Sequence, residues 1–147
     1  MTALVMTRAT TAAAMAAEYR QANGLDVEVY ADGAIMLRVG QVAGFRALRP
    51  LASRVHAELE RQGLRTPIIE YPRSGALMFL ANAASSTAQW DNMLYRHFVA
   101  RTAVGMTIAL PGPSDEVRTW FQKPDGDRRA DLEALVAITI AATQPKR

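Results

Sequence analysis

The chain contains no cysteine. That absence excludes disulfides, thiolate metal centres and cysteine nucleophiles together, and it suits a reducing cytoplasm. Histidine is scarce as well: His56 and His97 lie on different predicted helices, far from any metal-ligand spacing. Lysine is limited to Lys123 and Lys146 among 17 basic residues, the rest being arginine. Arginine and alanine have GC-rich codons, so this bias reflects a GC-rich genome before it reflects a ligand. Long apolar runs are also missing. The longest charge-free stretch, Ser74 to Trp90, is broken by Asn82, Ser85, Ser86, Thr87 and Gln89 and would not insert as a membrane span. Met1 to Ala17 is rich in Thr and Ala without a sustained apolar segment, so it does not read as a signal peptide.

The common catalytic signatures are absent too. There is no glycine-rich phosphate loop, no G-x-S-x-G elbow and no H-E-x-x-H helix. Asp91 and His97 are six residues apart and share no helix face. Asp125-Gly126-Asp127 opens like a calcium loop, but Arg129 and Ala130 occupy the positions that need an oxygen ligand and a glycine. It reads instead as a turn in which Asp127 caps a final helix. No cofactor, metal site or catalytic residue is implied.

What is present fits one domain spanning residues 1–147. Residues 1–6 read as a leader, with Met6 as an alternative start, and residues 144–147 as a flexible tail. The net charge of +3 is unevenly spread. Residues 38–101 carry nine arginines against Glu58, Glu60, Glu70 and Asp91, whereas the segments on either side are acidic or neutral.

Hydropathy periods order the elements. Ala12, Ala16 and Tyr19 recur at helical spacing over Thr7 to Asn23, and Gly24 stops the helix. Val27 to Tyr30 and Ala34 to Val39 alternate around Asp32-Gly33, which predicts a type I′ hairpin. Leu48, Ala52, Val55 and Leu59 form an apolar stripe, predicting a helix that begins near Arg46 to Arg49 and stops at Gly63. Arg46, Arg49 and Ser53 would lie opposite that stripe, with Arg54 and Glu58 paired at i,i+4. Pro67 to Tyr71 and Ala76 to Ala81 predict a second hairpin around Pro72-Arg73-Ser74-Gly75. Ser86 and Gln89 resemble a capping box, opening a helix with Trp90, Met93 or Leu94, and His97 or Phe98 along one side. Val104 to Leu110 and Val117 to Gln122 predict strands, and Leu132 to Ile140 a buried helix. Trp90 and Trp120 sit within apolar patterns and are expected in the core. Hairpins without βαβ crossovers indicate an α+β fold: an antiparallel or mixed sheet of about five or six strands, with three or four helices mainly on one face.

From Ala34 onward the chain resembles the small primase–polymerase-like domains common in actinobacteria, of the archaeal–eukaryotic primase superfamily. Ile35-Met36-Leu37-Arg38-Val39 resembles the first motif strand, and Ala43-Gly44-Phe45 with the helix ending at Gly63-Leu64 the next step. Pro72 to Leu80 resembles the second motif strand, Gly105 to Pro113 the third, and Arg118-Thr119-Trp120 the strand after it. The chain departs where the family places its chemistry. Arg38 stands on the strand of the acidic ligands, Leu77 at the expected histidine, and no aspartate lies near Val99. Two-metal nucleotidyl transfer needs such carboxylates, so the resemblance implies a catalytically dead relative.

The resulting expectation is a cytoplasmic, non-catalytic binding or regulatory module without a membrane segment. Nucleic acid is the favoured partner, with Arg46, Arg49, Arg54, Arg73, Arg96 and Arg101 as phosphate-directed forks. A protein-interaction or homo-oligomeric regulatory module is the first alternative, and a small-molecule enzyme with an unrecognised site the second.

Overall fold

The computed structural model describes residues 2–84 and 87–144, and of residues 2–10 the backbone alone. Of the expected leader, Met1 lies outside the described residues and residues 2–6 fall in the part of the first helix whose side chains do. Ser86 of the expected capping box also lies outside them, as does the tail beyond Gln144.

The fold is α+β, and the described residues form four α-helices and eight strands, the strands paired antiparallel. Helix α1 spans Thr2–Gln21. Strands β1 (Val27–Val29) and β2 (Ile35–Arg38) form the first hairpin. Its turn departs from type I′. Only Gly33 has positive φ, +87°, and its N–H donates to the Tyr30 carbonyl at 2.8 Å. Asp32 is not at positive φ and accepts the Ala34 N–H on Oδ1 at 3.0 Å, giving a three-residue loop closed by glycine.

The largest departure follows. Val42–Leu48, expected in part to start a helix, is strand β3. Ala43, Phe45 and Ala47 recur at period two and are buried against the helical layer, while Arg46 points to the opposite side and is exposed. Strand pairing on both sides outweighs the helical spacing of Leu48 with Ala52. Helix α2 therefore runs over Leu51–Arg61, with Pro50, cis to Arg49, at its N-cap. Its end satisfies its own carbonyls: Leu64 N–H reaches Leu59 O at 2.9 Å and Gly63 N–H reaches Glu60 O at 3.1 Å. Gly63 holds the positive φ, +71°, that this closure needs.

Strands β4 (Ile68–Tyr71) and β5 (Ala76–Asn82) form the second hairpin as expected, with Tyr71 opposite Ala76. A 3₁₀ turn at Ala88–Trp90 leads into the short helix α3, Asp91–Arg96. Strands β6 (Ala100–Arg101), β7 (Thr107–Leu110) and β8 (Thr119–Gln122) precede helix α4, Leu132–Thr143. Val104 and Met106 are exposed, outside the strand expected there. The N-cap of α4 is Asp131, four residues later than the expected Asp127.

The strands make a five-stranded sheet, β6-β3-β5-β4-β8, and a three-stranded one, β1-β2-β7. One face of the larger sheet packs on α2 and α4 through Phe45, Phe79, Leu77, Ile68, Val55, Leu59, Leu135 and Val136. The other presents Ile69, Met78 and Leu80 to α1 and the smaller sheet, where Ala16, Tyr19, Ile35, Leu37 and Leu110 complete a second core. Burial on both faces explains why β5 reads as an unbroken apolar run, Ala76 to Ala81. Among the described residues no helix is long and apolar enough to cross a membrane.

Candidate nucleic-acid interface

The structure separates the six arginines that sequence reading grouped. Arg49 donates to Glu70 on β4, and its guanidinium lies 5.5 Å from the centre of the Phe121 ring. His56 meets the same ring edge-on at 4.9 Å. The Arg49 charge is thus spent inside the protein. Arg101 grips Asp91 from β6, with Nε at 3.1 Å from Oδ1 and Nη2 at 3.2 Å from Oδ2. Arg54 is exposed on α2, yet Glu58 pairs with Arg61 and Gln62 rather than with it. Arg73 is exposed in the β4–β5 turn. The remaining two, Arg46 and Arg96, are exposed.

Arg96 ends α3 beside the β6 edge, and Arg46 stands on β3, the strand next to β6, with its side chain on the other face of the sheet from Leu94. Register places Arg46 opposite Ala100, the second residue after Phe98, and Arg96 ends α3 just before it. Helix α3 is only six residues long, but it is pinned twice. Leu94 and Val99 are buried in the helical core, and the Arg101–Asp91 pair ties its first turn to β6. With those contacts facing inward, Tyr95, Arg96, His97 and Phe98 all face solvent. Tyr95 and Phe98 are each 74% exposed.

Phe98 is also held in an unfavourable backbone conformation, with φ +61°. Its N–H donates to Tyr95 O at 2.9 Å and the Val99 N–H to Leu94 O at 3.0 Å. This is the same helix closure that Gly63 makes at the end of α2, with phenylalanine in the glycine position. A large side chain there costs about 1 kcal/mol relative to glycine. The ring repays none of this through burial.

The local charge is one-sided. From Asn92 to Ser114 the chain carries no carboxylate side chain. Two aromatic rings flanking an arginine and a histidine can stack on flat π-systems while neutralising a neighbouring anion. Sequence reading had set His97 or Phe98 on an apolar helix side and missed Tyr95. The signal available is the run Tyr95-Arg96-His97-Phe98, a basic pair between two aromatics, within that acid-free stretch.

The tryptophans part ways. Trp120 is half-buried against the second core, as expected, but Trp90 is 39% exposed, because the chain turns through a 3₁₀ segment there and no apolar layer covers it. Asp125, the start of the calcium-like run, pairs with Arg128 at 3.2 Å and Arg65 at 3.5 Å. Among the described residues no group of three or more His, Asp or Glu side chains is placed to hold a metal ion. No protein-family model matches the chain, and no curated protein or solved structure does either.

Proposed function

We propose that the chain is a non-catalytic binding module that holds nucleic acid at the α3–β6 edge. Its absence of cysteine suits a cytoplasmic setting. One observation carries the reading: exposed Tyr95 and Phe98 flank exposed Arg96 and His97 on a pinned helix end, within a stretch from Asn92 to Ser114 that has no carboxylate, and Arg46 stands opposite Ala100 on the neighbouring strand. Arg46 and Arg96 contact phosphates, and the rings receive unstacked bases. Asp91, at the start of α3, is held by Arg101, and the exposed rings suit retention of a strand rather than its chemical alteration. The primase–polymerase-like resemblance is compatible with such a surface surviving where the catalytic residues are replaced.

Fluorescence anisotropy with single-stranded and duplex oligonucleotides, measured across salt concentrations, tests the reading. Affinity should fall steeply with salt, since each neutralised phosphate contributes about 0.7–0.9 to the log–log slope. Arg46→Ala with Arg96→Ala should reduce that slope by up to about two. Absence of binding to either form at about 50 mM salt refutes the proposal.

A further inference from the structure

Helix α3 and the Arg46 side chain lie on opposite faces of an open strand edge. Strand β6 is two residues long and pairs with β3 alone, so no further strand covers its outer side. Ala100 stands opposite Arg46, which puts its exposed methyl group on the Arg46 face of the sheet. Tyr71 lies further along that face. Register sets Arg46 opposite Met78 and Tyr71 opposite Ala76, so β5 alone separates them. Two strand spacings are about 9.5 Å, within reach of two long side chains over the small Ala76. Tyr71 is half-buried against the second core. Among the described residues no hydrogen bond engages its hydroxyl, and no hydrogen bond or ion pair engages the Arg46 guanidinium. Burial raises the Tyr71 phenol above its ordinary 10.0, so it keeps its proton and can donate. The charges of Arg118 and then Arg46 oppose that rise, so both act on the hydroxyl. Arg118 is committed to Asp115 through Nη1 at 2.9 Å, and Arg46 is not committed.

We propose that Arg46 and Tyr71 together hold one phosphate of a single strand that folds over the β6 edge, its bases resting on Tyr95 and Phe98 beside α3. This ligand presupposes that the α3–β6 edge binds nucleic acid, and it narrows the partner to single strands. A guanidinium and a phenol supply N–H and O–H donors from two sides, and hydrogen bonds to an ionised oxygen are the stronger kind. Passing from one face of a sheet to the other within a few nucleotides excludes a duplex, whose persistence length is about 150 base pairs. A single strand makes that turn and presents unstacked bases to the rings. A duplex meets one face at a time and binds more weakly.

Anisotropy with a single strand and a duplex of equal length, across salt concentrations, tests this path. The wild type should bind the single strand about 10-fold or more tightly than the duplex. Tyr71→Phe removes the hydroxyl alone and, with no partner lost inside the protein, should leave thermal unfolding unchanged. It should weaken the single strand about 3- to 10-fold without altering the salt slope, because a neutral donor releases no counterion. Arg46→Ala should weaken it as well and lower the slope by about 0.7. Equal affinity for both forms, or a Tyr71→Phe protein that binds the single strand like the wild type, overturns the proposal. Phe98→Gly keeps that failure distinct from failure of the α3–β6 reading. If Phe98→Gly weakens binding while Tyr71→Phe does not, the edge binds nucleic acid and the path over it is wrong. A wild type that binds neither form refutes both.

Discussion

Trp120 donates its indole proton to the Tyr19 hydroxyl at 3.0 Å, and their rings meet edge-on with centroids 5.9 Å apart. The same hydroxyl donates to the Pro111 carbonyl at 2.7 Å. One oxygen therefore joins α1, the edge strand β8 of the large sheet and the exit of β7 in the small one. Tyr19→Phe keeps the ring but leaves two groups without a partner, so it should destabilise the fold by about 1–3 kcal/mol in chemical denaturation. The pH dependence has a definite sign. Burial, ahead of the opposing Trp120 hydrogen bond, raises the Tyr19 phenol above its ordinary 10.0. Unfolded chains therefore lose this proton first as pH rises. The stability is intact below about pH 10 and declines above it, and Tyr19→Phe should flatten that decline.

Gly44, on β3 of the large sheet, has no room for a side chain beneath Ile108 of the small one. A Cβ there would stand 2.4 Å from Ile108 Cδ1, 2.8 Å from Thr102 Oγ1 and 3.0 Å from Met78 Sδ. Gly44→Ala should cost about 1–3 kcal/mol through overpacking, measured by thermal or denaturant unfolding. A neutral result would mean that the small sheet rides loosely on the large one.

Leu59 is 1% exposed and closes the apolar stripe of α2 against the large sheet. Leu59→Ala should lose about 2–5 kcal/mol, in the range of buried leucine truncations.

Glu58 provides an acid-side measurement. Hydrogen bonds from Arg61, at 2.9 and 2.5 Å, and then from Gln62 lower its carboxyl to about 2. Its contribution is present above the unfolded value of 4.5 and fades as pH falls towards 2. Carboxyl NMR titration should find Glu58 still ionised at about pH 3, and Arg61→Ala should return it towards the ordinary glutamate range.

Periodicity made much of this fold legible. Helical spacing at Ala12, Ala16 and Tyr19, the turn at Pro72 to Gly75 and the stop at Gly63 all stand where the residues indicated. Where two periods overlapped, the reading failed. Leu48 fits the stripe of α2 and also the alternation of β3, and only the pairing of β3 with β5 and β6, invisible in one sequence, decides between them. The candidate site was blurred for the same reason. Arg46 and Arg49 looked like helix neighbours, but one lies on a strand facing solvent and the other bonds Glu70. Distant partners such as Glu70 and Asp91 determine which arginines remain free to meet a ligand, and no local pattern announces them.

Phe98 permits a test that separates binding from folding. Its φ of +61° suits glycine, and its ring is 74% exposed. Phe98→Gly removes the strain along with the ring, so stability should be unchanged or rise by up to about 1 kcal/mol. If the ring receives a base, affinity for a single-stranded oligonucleotide should fall about 5- to 150-fold, because each stacked base contributes about 1–3 kcal/mol. Duplex affinity should change much less, since bases in a duplex remain stacked on one another, while Arg46→Ala with Arg96→Ala weakens both. A ring that served packing would behave the other way, with stability lost and affinity kept. Thermal unfolding and anisotropy on the same preparation distinguish these outcomes. Undiminished single-strand binding by a stable Phe98→Gly protein would remove stacking from the mechanism and leave phosphate contact alone.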